Sequence, residues 1–406
     1  MNKYEVQPLD LMQYINTKYH EPFIHERIEF DGALDGKRLA EAVDLLIGSF
    51  PILKCGYIAS ENVFFENENI SGKDLVKEVE SSDRNILLTE SLDLIEKQIQ
   101  FTIFKNELYV TVSHLICDGS GFKQLLYLLC DAYNGKFGSG HDYLMKRNFS
   151  QLTEGMTGRG RKTIQMLMAV AGNYRNKQIY SARKKRKSYV IEKTIPKEVM
   201  GNVHAAAKKQ GATLNDVFLT AYASAICKML KINKVNIPCT VDLRKYAKDK
   251  TGIANLTGTY NLNVKLKPGE VFGDTLSKVS ANMQKQKKTC NDIVGPMLLV
   301  SKYEKSSLEK FLKLYGNMDT SAFTDYTNLG ILDDKRLIFD GVTVKNAVGY
   351  SVLSKSPCFQ LAVSSFKGET TFSCLFQCSE TAQKEAERLV EYVVSELHTS
   401  LFNVSR

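Results

Sequence analysis

One histidine of this sequence stands among residues that can support proton transfer. His114 ends an apolar run in VTVSHLICDGSGF, Asp118 follows four residues later, and Gly119 and Gly121 come next. Imidazole, with an unperturbed pKa of about 6.5, can take a proton at neutral pH from an alcohol or amine that attacks a thioester. We interpret His114 as a candidate general base, Asp118 as an organiser of the loop through hydrogen bonds or an arginine pair, and the glycines as a hinge.

The elements around this motif are predicted to hold the histidine in place. IQFTIF and LYVTVSH read as two strands joined by a tight turn, with His114 at the end of the second strand. An amphipathic helix follows Asp118 and ends at Asn134 and Gly135. The apolar residues that define this helix are Phe122, Leu125, Leu126, Leu129 and Tyr133.

The rest of the chain also alternates strands and helices. ERIEFDG reads as a strand and LDGKRLAEAVDLLIGSF as a helix; SYVIEKTI and VNIPCTVDL read as strands of a second α/β stretch. Helices are expected at 197–209 and 214–230, later strands near 260–266, 358–366 and 371–377, and a final helix through 382–397. We predict an α/β protein with lobes at 1–150 and 189–406, joined by a crossover at 151–188.

The net charge of +9 is concentrated in that crossover. Between Gly155 and Ile191 the chain carries ten Lys and Arg residues and no acid. Three interpretations stay open: a solvated linker, a site for the phosphates of coenzyme A or for an acidic acyl carrier protein, and a peripheral contact with an anionic membrane. Nucleic-acid binding is disfavoured because no binding motif accompanies the charge.

Several classes of protein are disfavoured by what the sequence lacks. The start MNKYEVQPLDLMQY does not resemble a signal peptide, and no run approaches the roughly 18 apolar residues of a membrane span. Nine cysteines without a CxxC pair read mostly as buried hydrophobes in a reducing compartment. We therefore expect a cytoplasmic protein without a metal site or a tightly bound cofactor.

Several segments together resemble the chloramphenicol acetyltransferase-like superfamily, which includes alcohol acetyltransferases, wax ester synthases and peptide-synthetase condensation domains. HLICDGSG is similar to the HxxxDG motif of that superfamily, and DGSG is closest to the alcohol acetyltransferase branch. IEFDGALDGKRLAEAVDLLIGSFPIL, GATLNDVFLTAYASAI, IPCTVDLRKY and TNLG resemble other landmarks in order and spacing. The likeness spans most of the chain and is lowest at 140–190.

The resemblance implies two similar lobes, each a mixed sheet flanked by helices, around an active-site tunnel. It implies catalysis by His114 without a covalent acyl-enzyme, with acyl coenzyme A or acyl-phosphopantetheine as co-substrate. Asp118 and Gly119 would be structural, and Arg244 of VDLR would pair with Asp118. Thr327 and Asn328 of TNLG would lie near the channel, where either could donate to an oxyanion.

Three functions are compatible with this reading. The leading one is an acyltransferase that makes an ester from a thioester and a small-molecule alcohol, because Ser113 stands where condensation domains usually have a second histidine. The others are a carrier-protein-dependent, amide-forming enzyme that uses an amine, and a non-catalytic binding protein of the same fold. Cys117 is interpreted as packing, and the remaining histidines as surface or packing residues: His20, His25, His141, His204 and His398.

Overall fold

A computed structural model describes most of the chain. The described residues are 2–138, 147–154, 187–248, 250–267, 269–318 and 324–402.

The first part of the chain forms seven strands and six helices among the described residues. The strands are β1 (Lys3–Glu5), β2 (Phe23–Phe30), β3 (Cys55–Ile58), β4 (Val63–Glu66), β5 (Val76–Glu78), β6 (Ile99–Phe104) and β7 (Glu107–Ser113). The helices are α1 (Pro8–Ile15), α2 (Gly36–Ser49), α3 (Gly72–Leu75), α4 (Arg84–Leu87), α5 (Gly119–Tyr133) and α6 (Ser150–Glu154).

The second part contributes the remaining described elements. The strands are β8 (Lys187–Ile195), β9 (Lys234–Asp242), β10 (Thr257–Lys265), β11 (Asp325–Leu332), β12 (Val344–Tyr350), β13 (Ser354–Lys355), β14 (Gln360–Phe366) and β15 (Glu369–Cys378). The helices are α7 (Lys197–Lys209), α8 (Leu214–Leu230), α9 (Phe272–Thr289), α10 (Asn291–Glu304), α11 (Leu308–Asn317) and α12 (Glu380–Phe402).

Two large sheets organise these elements. The first has the strand order β12-β2-β7-β6-β5, and its β2, β7 and β6 are antiparallel neighbours. The second has the order β10-β9-β11-β14-β15-β13, with β8 paired to β15. Both sheets are mixed, since β5 runs parallel to β6 and β11 runs parallel to β14. The predicted α/β class is confirmed.

Each large sheet has its own hydrophobic core against helices. Apolar side chains of α2 and α5, such as Leu39 and Leu125, pack with Val110 of β7. Those of α8 and α12, such as Tyr222 and Leu389, pack with the second sheet. A smaller cluster between the sheets contains Tyr109, Tyr350 and Leu375. The sheets therefore bury one face against helices and part of the other face against each other.

Local sequence signals explain why several helices begin where they do. Asp118 is the N-cap of α5, and its carboxylate accepts the Gly121 N–H at 2.8 Å. Thr213 and Asp216 form a capping box at the start of α8. Side-chain caps satisfy amide groups that the first helical turn leaves without partners. The helices predicted at 197–209 and 214–230 are confirmed with these bounds.

One strand from the second part of the chain belongs to the sheet formed by the first part. β12, at Val344–Tyr350, pairs antiparallel with β2 and so completes the first sheet. Apart from this strand, a boundary near residue 188 separates the strands of the two large sheets. The division into lobes at 1–150 and 189–406 stays a prediction, and residues 155–186 of the basic crossover, including its candidate helix at 162–180, lie outside the described residues.

The sequence also predicted buried cysteines and no membrane-spanning helix. Eight of the nine cysteines are buried free thiols, and Cys290 is partly exposed, which confirms that most serve as packing residues. None of the described helices combines the length and the apolar character that crossing a membrane requires.

Candidate functional site

His114 occupies the first position after β7. Its N–H donates to the Pro22 carbonyl at 2.8 Å, so the pairing of β2 with β7 extends to this residue. The chain then turns, with the Ile116 N–H donating to the Ser113 carbonyl at 3.1 Å. The side chain of His114 lies in the interior of the molecule and keeps part of its surface accessible. The backbone of His114 is thus fixed at the end of the central strand of the first sheet.

Asn255 defines which nitrogen of the His114 ring carries the proton. The Asn255 Nδ2 donates to the Asp10 Oδ1 at 2.8 Å and to the His114 carbonyl at 2.8 Å. Because both partners only accept, Oδ1 must be the amide atom that lies 3.2 Å from the His114 Nδ1. Nδ1 therefore donates to Asn255, and Nε2 carries the lone pair of the neutral ring.

The surroundings of His114 favour its neutral form. Burial lowers the pKa of His114 below its ordinary value, and Asp118, Asp10 and the Asn255 hydrogen bond oppose this shift only in part. A base that is neutral at physiological pH is ready to accept a proton. The two carboxylates would also stabilise the positive charge that forms when the ring is protonated.

Asp118 holds the backbone of the site together with Arg244. The Arg244 Nη1 lies 3.0 Å from both carboxylate oxygens of Asp118, and both side chains are almost fully buried. Asp118 Oδ2 accepts the Leu256 N–H at 2.7 Å. Arg244 Nη2 donates to the carbonyls of Gly252 and Ala254 at 3.0 and 2.8 Å. The ion pair implied by the resemblance is present, and it joins the turn after His114 to residues 252–256.

A second buried ion pair supports the same turn. Arg147 Nη2 lies 2.5 Å from the Asp10 Oδ2 and 3.3 Å from the Leu115 carbonyl. Its Nη1 donates to the carbonyls of Ile116 and, at 3.0 Å, Ile253. Two arginines thus fix the turn that follows His114 and the facing segment 252–254, and through Asp10 the second also fixes Asn255.

The glycines of the motif serve close packing rather than the hinge that the sequence suggested. Neither Gly119 nor Gly121 has a positive φ, so their backbone is open to other residues. A Cβ on Gly119 would lie 2.4 Å from the Cδ2 of Leu329, and one on Gly121 would lie 3.0 Å from the Cβ of Cys117. The absence of a side chain lets β11 approach the start of α5.

Thr327 and Asn328 lie on β11, in the second sheet, and are partly buried. The Asn328 Nδ2 donates to Asn215 Oδ1 at 2.9 Å, and its Oδ1 accepts the Gly330 N–H at 2.8 Å. Their segment reaches the His114 motif through the contact of Leu329 with Gly119. Neither side chain has a described contact with His114, so a role as oxyanion donor stays a prediction.

The structure also locates the other candidate residues. Cys117 is fully buried, and burial raises the pKa of its thiol well above the ordinary range, in agreement with packing. His25 is buried on β2 with Nδ1 3.1 Å from the Thr111 hydroxyl. His204 and His398 are exposed, and His141 lies outside the described residues. His20 differs from these, because it lies close enough to His114 for a charge on that ring to lower its pKa.

Three functional residues escaped sequence reasoning: Asp10, Arg147 and Asn255. Arg147 and Asn255 contact residues 114–116 from distant parts of the chain, and Asp10 binds both of them. Arg147 falls where the resemblance is lowest. Asp10 lies in a helix that begins with proline, and Asn255 in the loop between β9 and β10. A weak signal existed for Asp10 alone, a carboxylate among the apolar residues of PLDLMQYI.

The chain is similar to known proteins in structure and not in sequence. No protein-family model matches the chain. No curated protein matches it either.

Solved structures, in contrast, match over nearly the whole chain. The condensation domain of the Monacolin K polyketide synthase MokA has a TM-score of 0.70 at 11% identity and covers 99% of this chain and 98% of its own. The epimerization domain from the third module of tyrocidine synthetase B has a TM-score of 0.67 at 13% identity and covers 98% of each chain. The trichothecene 15-O-acetyltransferase TRI3 of Fusarium sporotrichioides has a TM-score of 0.70 at 14% identity, with 97% of this chain and 95% of its own covered.

These likenesses establish the fold. The chain has the α/β architecture of two sheet-and-helix lobes shared by condensation domains and TRI3, as the resemblance to the chloramphenicol acetyltransferase-like superfamily implied. One fold can support several activities, so the reaction has to be argued from the site.

Proposed function

We propose that this chain is an acyltransferase that moves an acyl group from a thioester to an alcohol, with His114 as the general base. The observation that carries the proposal is the Asn255 hydrogen bond, which leaves Nε2 of a neutral His114 free to accept a proton. The similarity to TRI3 and to condensation domains supports the same class of reaction.

In the proposed reaction the acyl group passes directly from the thioester to the acceptor, without a covalent enzyme intermediate. The acceptor hydroxyl attacks the thioester carbonyl carbon while Nε2 of His114 takes its proton, and a tetrahedral oxyanion forms. The C–S bond then breaks, the carbonyl re-forms, and the imidazolium returns its proton to the leaving thiolate. The Asp118 and Asp10 carboxylates stabilise the imidazolium between these steps. Thr327 and Asn328 remain our candidates for the oxyanion donors.

We propose acyl coenzyme A as the donor, entering as a co-substrate rather than as a bound cofactor. The basic segment at 155–191 would bind its phosphates, or an anionic membrane surface that presents the acceptor. The cytoplasm is the proposed location, on the sequence grounds given above.

A second candidate uses an acyl carrier protein as donor and an amine as acceptor. The similarity to condensation domains of a polyketide synthase and of the CDA synthetase favours it. Both candidates use the same base, and they differ in whether the thioester is free or tethered to a carrier.

The base is tested by His114→Ala, with His204→Ala as the matched control because His204 is exposed on α7. We expect His114→Ala to lower the rate of product formation by roughly 10²- to 10⁴-fold without changing the melting temperature by more than a few degrees. His204→Ala should match the wild type. A His114→Ala protein with wild-type turnover would contradict the role of His114 as base, whereas a wild type without turnover on any thioester donor would favour a non-catalytic binding protein of this fold.

The donor is tested by thermal unfolding with free, acetyl, butyryl and palmitoyl coenzyme A. A ligand at about 100 times its dissociation constant should raise the midpoint by roughly 2–4 °C in a protein of this size. A rise that depends on chain length supports a free coenzyme A donor. No rise with any of them, together with turnover when an acylated carrier protein is the donor, favours the second candidate.

Charge reversal at residues 183–187 tests the basic segment. Unchanged binding of the donor and of anionic membranes would remove this segment from the proposal.

A further inference from the structure

His20 and His114 lie at the same end of one pair of strands. β2 begins at Phe23, which pairs with Ser113, the last residue of β7. One residue further out, the Pro22 carbonyl accepts the His114 N–H at 2.8 Å. His20 stands two residues before Pro22, so both histidines extend beyond the end of this strand pair.

The backbone around His20 is held from the other side by the second half of the molecule. His20 forms an antiparallel bridge with Ser354, and the Glu21 N–H donates to the Leu353 carbonyl at 2.9 Å. Lys355 Nζ binds the Glu21 carboxylate at 2.8 Å. The position of His20 is therefore set by both halves, which places it at their junction beside His114.

The His20 ring has the same proton arrangement as the His114 ring. Its Nδ1 lies 3.2 Å from the Glu21 carbonyl oxygen, which can only accept a hydrogen bond. Nδ1 must therefore donate, and Nε2 carries a lone pair. Within the described part of the chain, this nitrogen has no hydrogen-bond partner.

His20 is also kept neutral. Burial, with smaller effects from the charges of His114 and Lys355, lowers the pKa of His20 to about 4. A ring that stays neutral at physiological pH cannot supply a proton to the reaction, but its Nε2 can accept a hydrogen bond. The side chain keeps part of its surface accessible, so a ligand can reach it.

We infer that His20 is a substrate-positioning residue whose Nε2 accepts a hydrogen bond from a second hydroxyl or amine of the acceptor, next to the hydroxyl that His114 deprotonates. This inference rests on the proposed function and deepens it by naming the acceptor class. 1,2-Diols and 1,2-amino alcohols carry two donors on neighbouring carbons, whereas a simple alcohol carries one and offers no hydrogen bond to Nε2 of His20.

The test compares 1,2-hexanediol with 1-hexanol as acceptors of acetyl groups from acetyl coenzyme A. The readout is the ratio of kcat/KM for the diol to that for the alcohol, in the wild type and in His20→Ala, His20→Gln and His204→Ala. We expect the wild type to prefer the diol roughly tenfold, and His20→Ala to lose most of that preference through a higher KM for the diol. His20→Gln, which keeps an acceptor oxygen, should restore part of it, and His204→Ala should keep all of it.

The outcomes separate this inference from the proposed function. Wild-type turnover with equal kcat/KM for the two acceptors, or an unchanged ratio in a folded His20→Ala protein, overturns the role of His20 alone. If the wild type esterifies neither acceptor, whether the donor is acetyl, butyryl or palmitoyl coenzyme A, the ester-forming function fails and this inference fails with it.

Discussion

Two of the buried arginines, Arg244 and Arg27, join the halves of this molecule through partners of different kinds. Arg244 binds Asp118 and two main-chain carbonyls, and Asp118 in turn binds the main-chain N–H groups of Gly121 and Leu256. Among the described residues, Arg27 on β2 binds side chains and no main-chain groups: Glu192 of β8 at 2.8 Å, Glu107 at 3.0 Å, Glu29 at 3.4 Å and Tyr350 at 3.3 Å. The first arginine fixes the course of the backbone at the site, whereas the second joins two sheets.

Burial of an ion pair does not by itself indicate a role in catalysis. Both arginines are about 2% exposed, so exposure alone does not distinguish them. What differs is whether the bonded atoms belong to the segment that carries His114. We therefore expect changes at Arg244 to affect rate and stability together, and changes at Arg27 to affect stability alone.

The largest effect is expected from Arg244→Met. Asp118 would be left as an uncompensated buried charge, which should lower the free energy of unfolding by about 3–5 kcal/mol. The turn at 114–118 and the segment 252–256 would separate, and a shift of about 1 Å at the base should lower kcat roughly 100-fold. Urea unfolding and turnover of the folded protein below its melting temperature measure the two effects. A folded variant with wild-type kcat would remove the distinction between the two arginines.

A smaller effect on rate is expected from Asn255→Ala. Without the Asn255 Oδ1, the Nδ1–H of His114 loses its acceptor, and the ring no longer prefers the tautomer with a free Nε2. We expect kcat to fall roughly tenfold and the free energy of unfolding to fall by about 1–3 kcal/mol, because Asp10 and the His114 carbonyl lose a donor. Steady-state kinetics on the folded variant provide the measurement, and His204→Ala, at an exposed position, is the control. Equal rates for Asn255→Ala and the wild type would mean that the tautomer is set in another way.

Arg27→Met should lower stability without lowering the rate. Glu107 and Glu192 are 15% and 20% exposed, so water can solvate part of the charge they would retain. We expect a loss of about 2–3 kcal/mol in the free energy of unfolding and a kcat within about twofold of the wild type. The same urea and turnover assays apply. A drop in kcat as large as that of Arg244→Met would show that the sheet contact also positions the base.

The smallest effect is expected from acid, and it reports on the strand that carries Arg27. Burial lowers the pKa of His25 to about 3, so the folded protein keeps this ring neutral while the unfolded chain binds a proton below about pH 6.5. The neutral His25 ring therefore does not lower the free energy of unfolding above about pH 6.5. It lowers that free energy increasingly as the pH drops from 6.5 towards 3. By linkage, this ring should cost up to about 2 kcal/mol at pH 5. Urea unfolding at pH 7 and pH 5 should show a smaller loss for His25→Leu than for the wild type, and equal losses would contradict the assignment.

Local patterns predicted the elements well because their causes are local. The helices at 197–209 and 214–230 follow from apolar spacing and from caps such as Thr213, and the strand before His114 follows from alternation in LYVTVSH. The Asp118–Arg244 pair came from the resemblance and not from these patterns. A single sequence does not show which arginine lies opposite a given carboxylate.

The rest of the site depends on contacts between distant segments. Asn255 meets His114 across 141 positions, and Arg147 meets Asp10 across 137 positions. The role of the motif glycines was also misread, because the space they leave is taken by Leu329 of a strand in the other half. The pairing of β12 with β2 was not predicted for the same reason, since alternation marks a strand without naming its neighbour.

The crossing of β12 sets an order of events during synthesis. The strands β2, β7 and β6 can pair once residue 113 has left the ribosome, but the edge of β2 stays open until residue 350 is made. At about 5–20 residues per second, that delay is roughly 10–50 s. For this interval the nascent first lobe presents an unpaired strand edge, the kind of surface on which chains aggregate and which chaperones protect. The chain should therefore fold as one unit after translation passes β12, and a fragment that ends near residue 150 should aggregate when expressed alone.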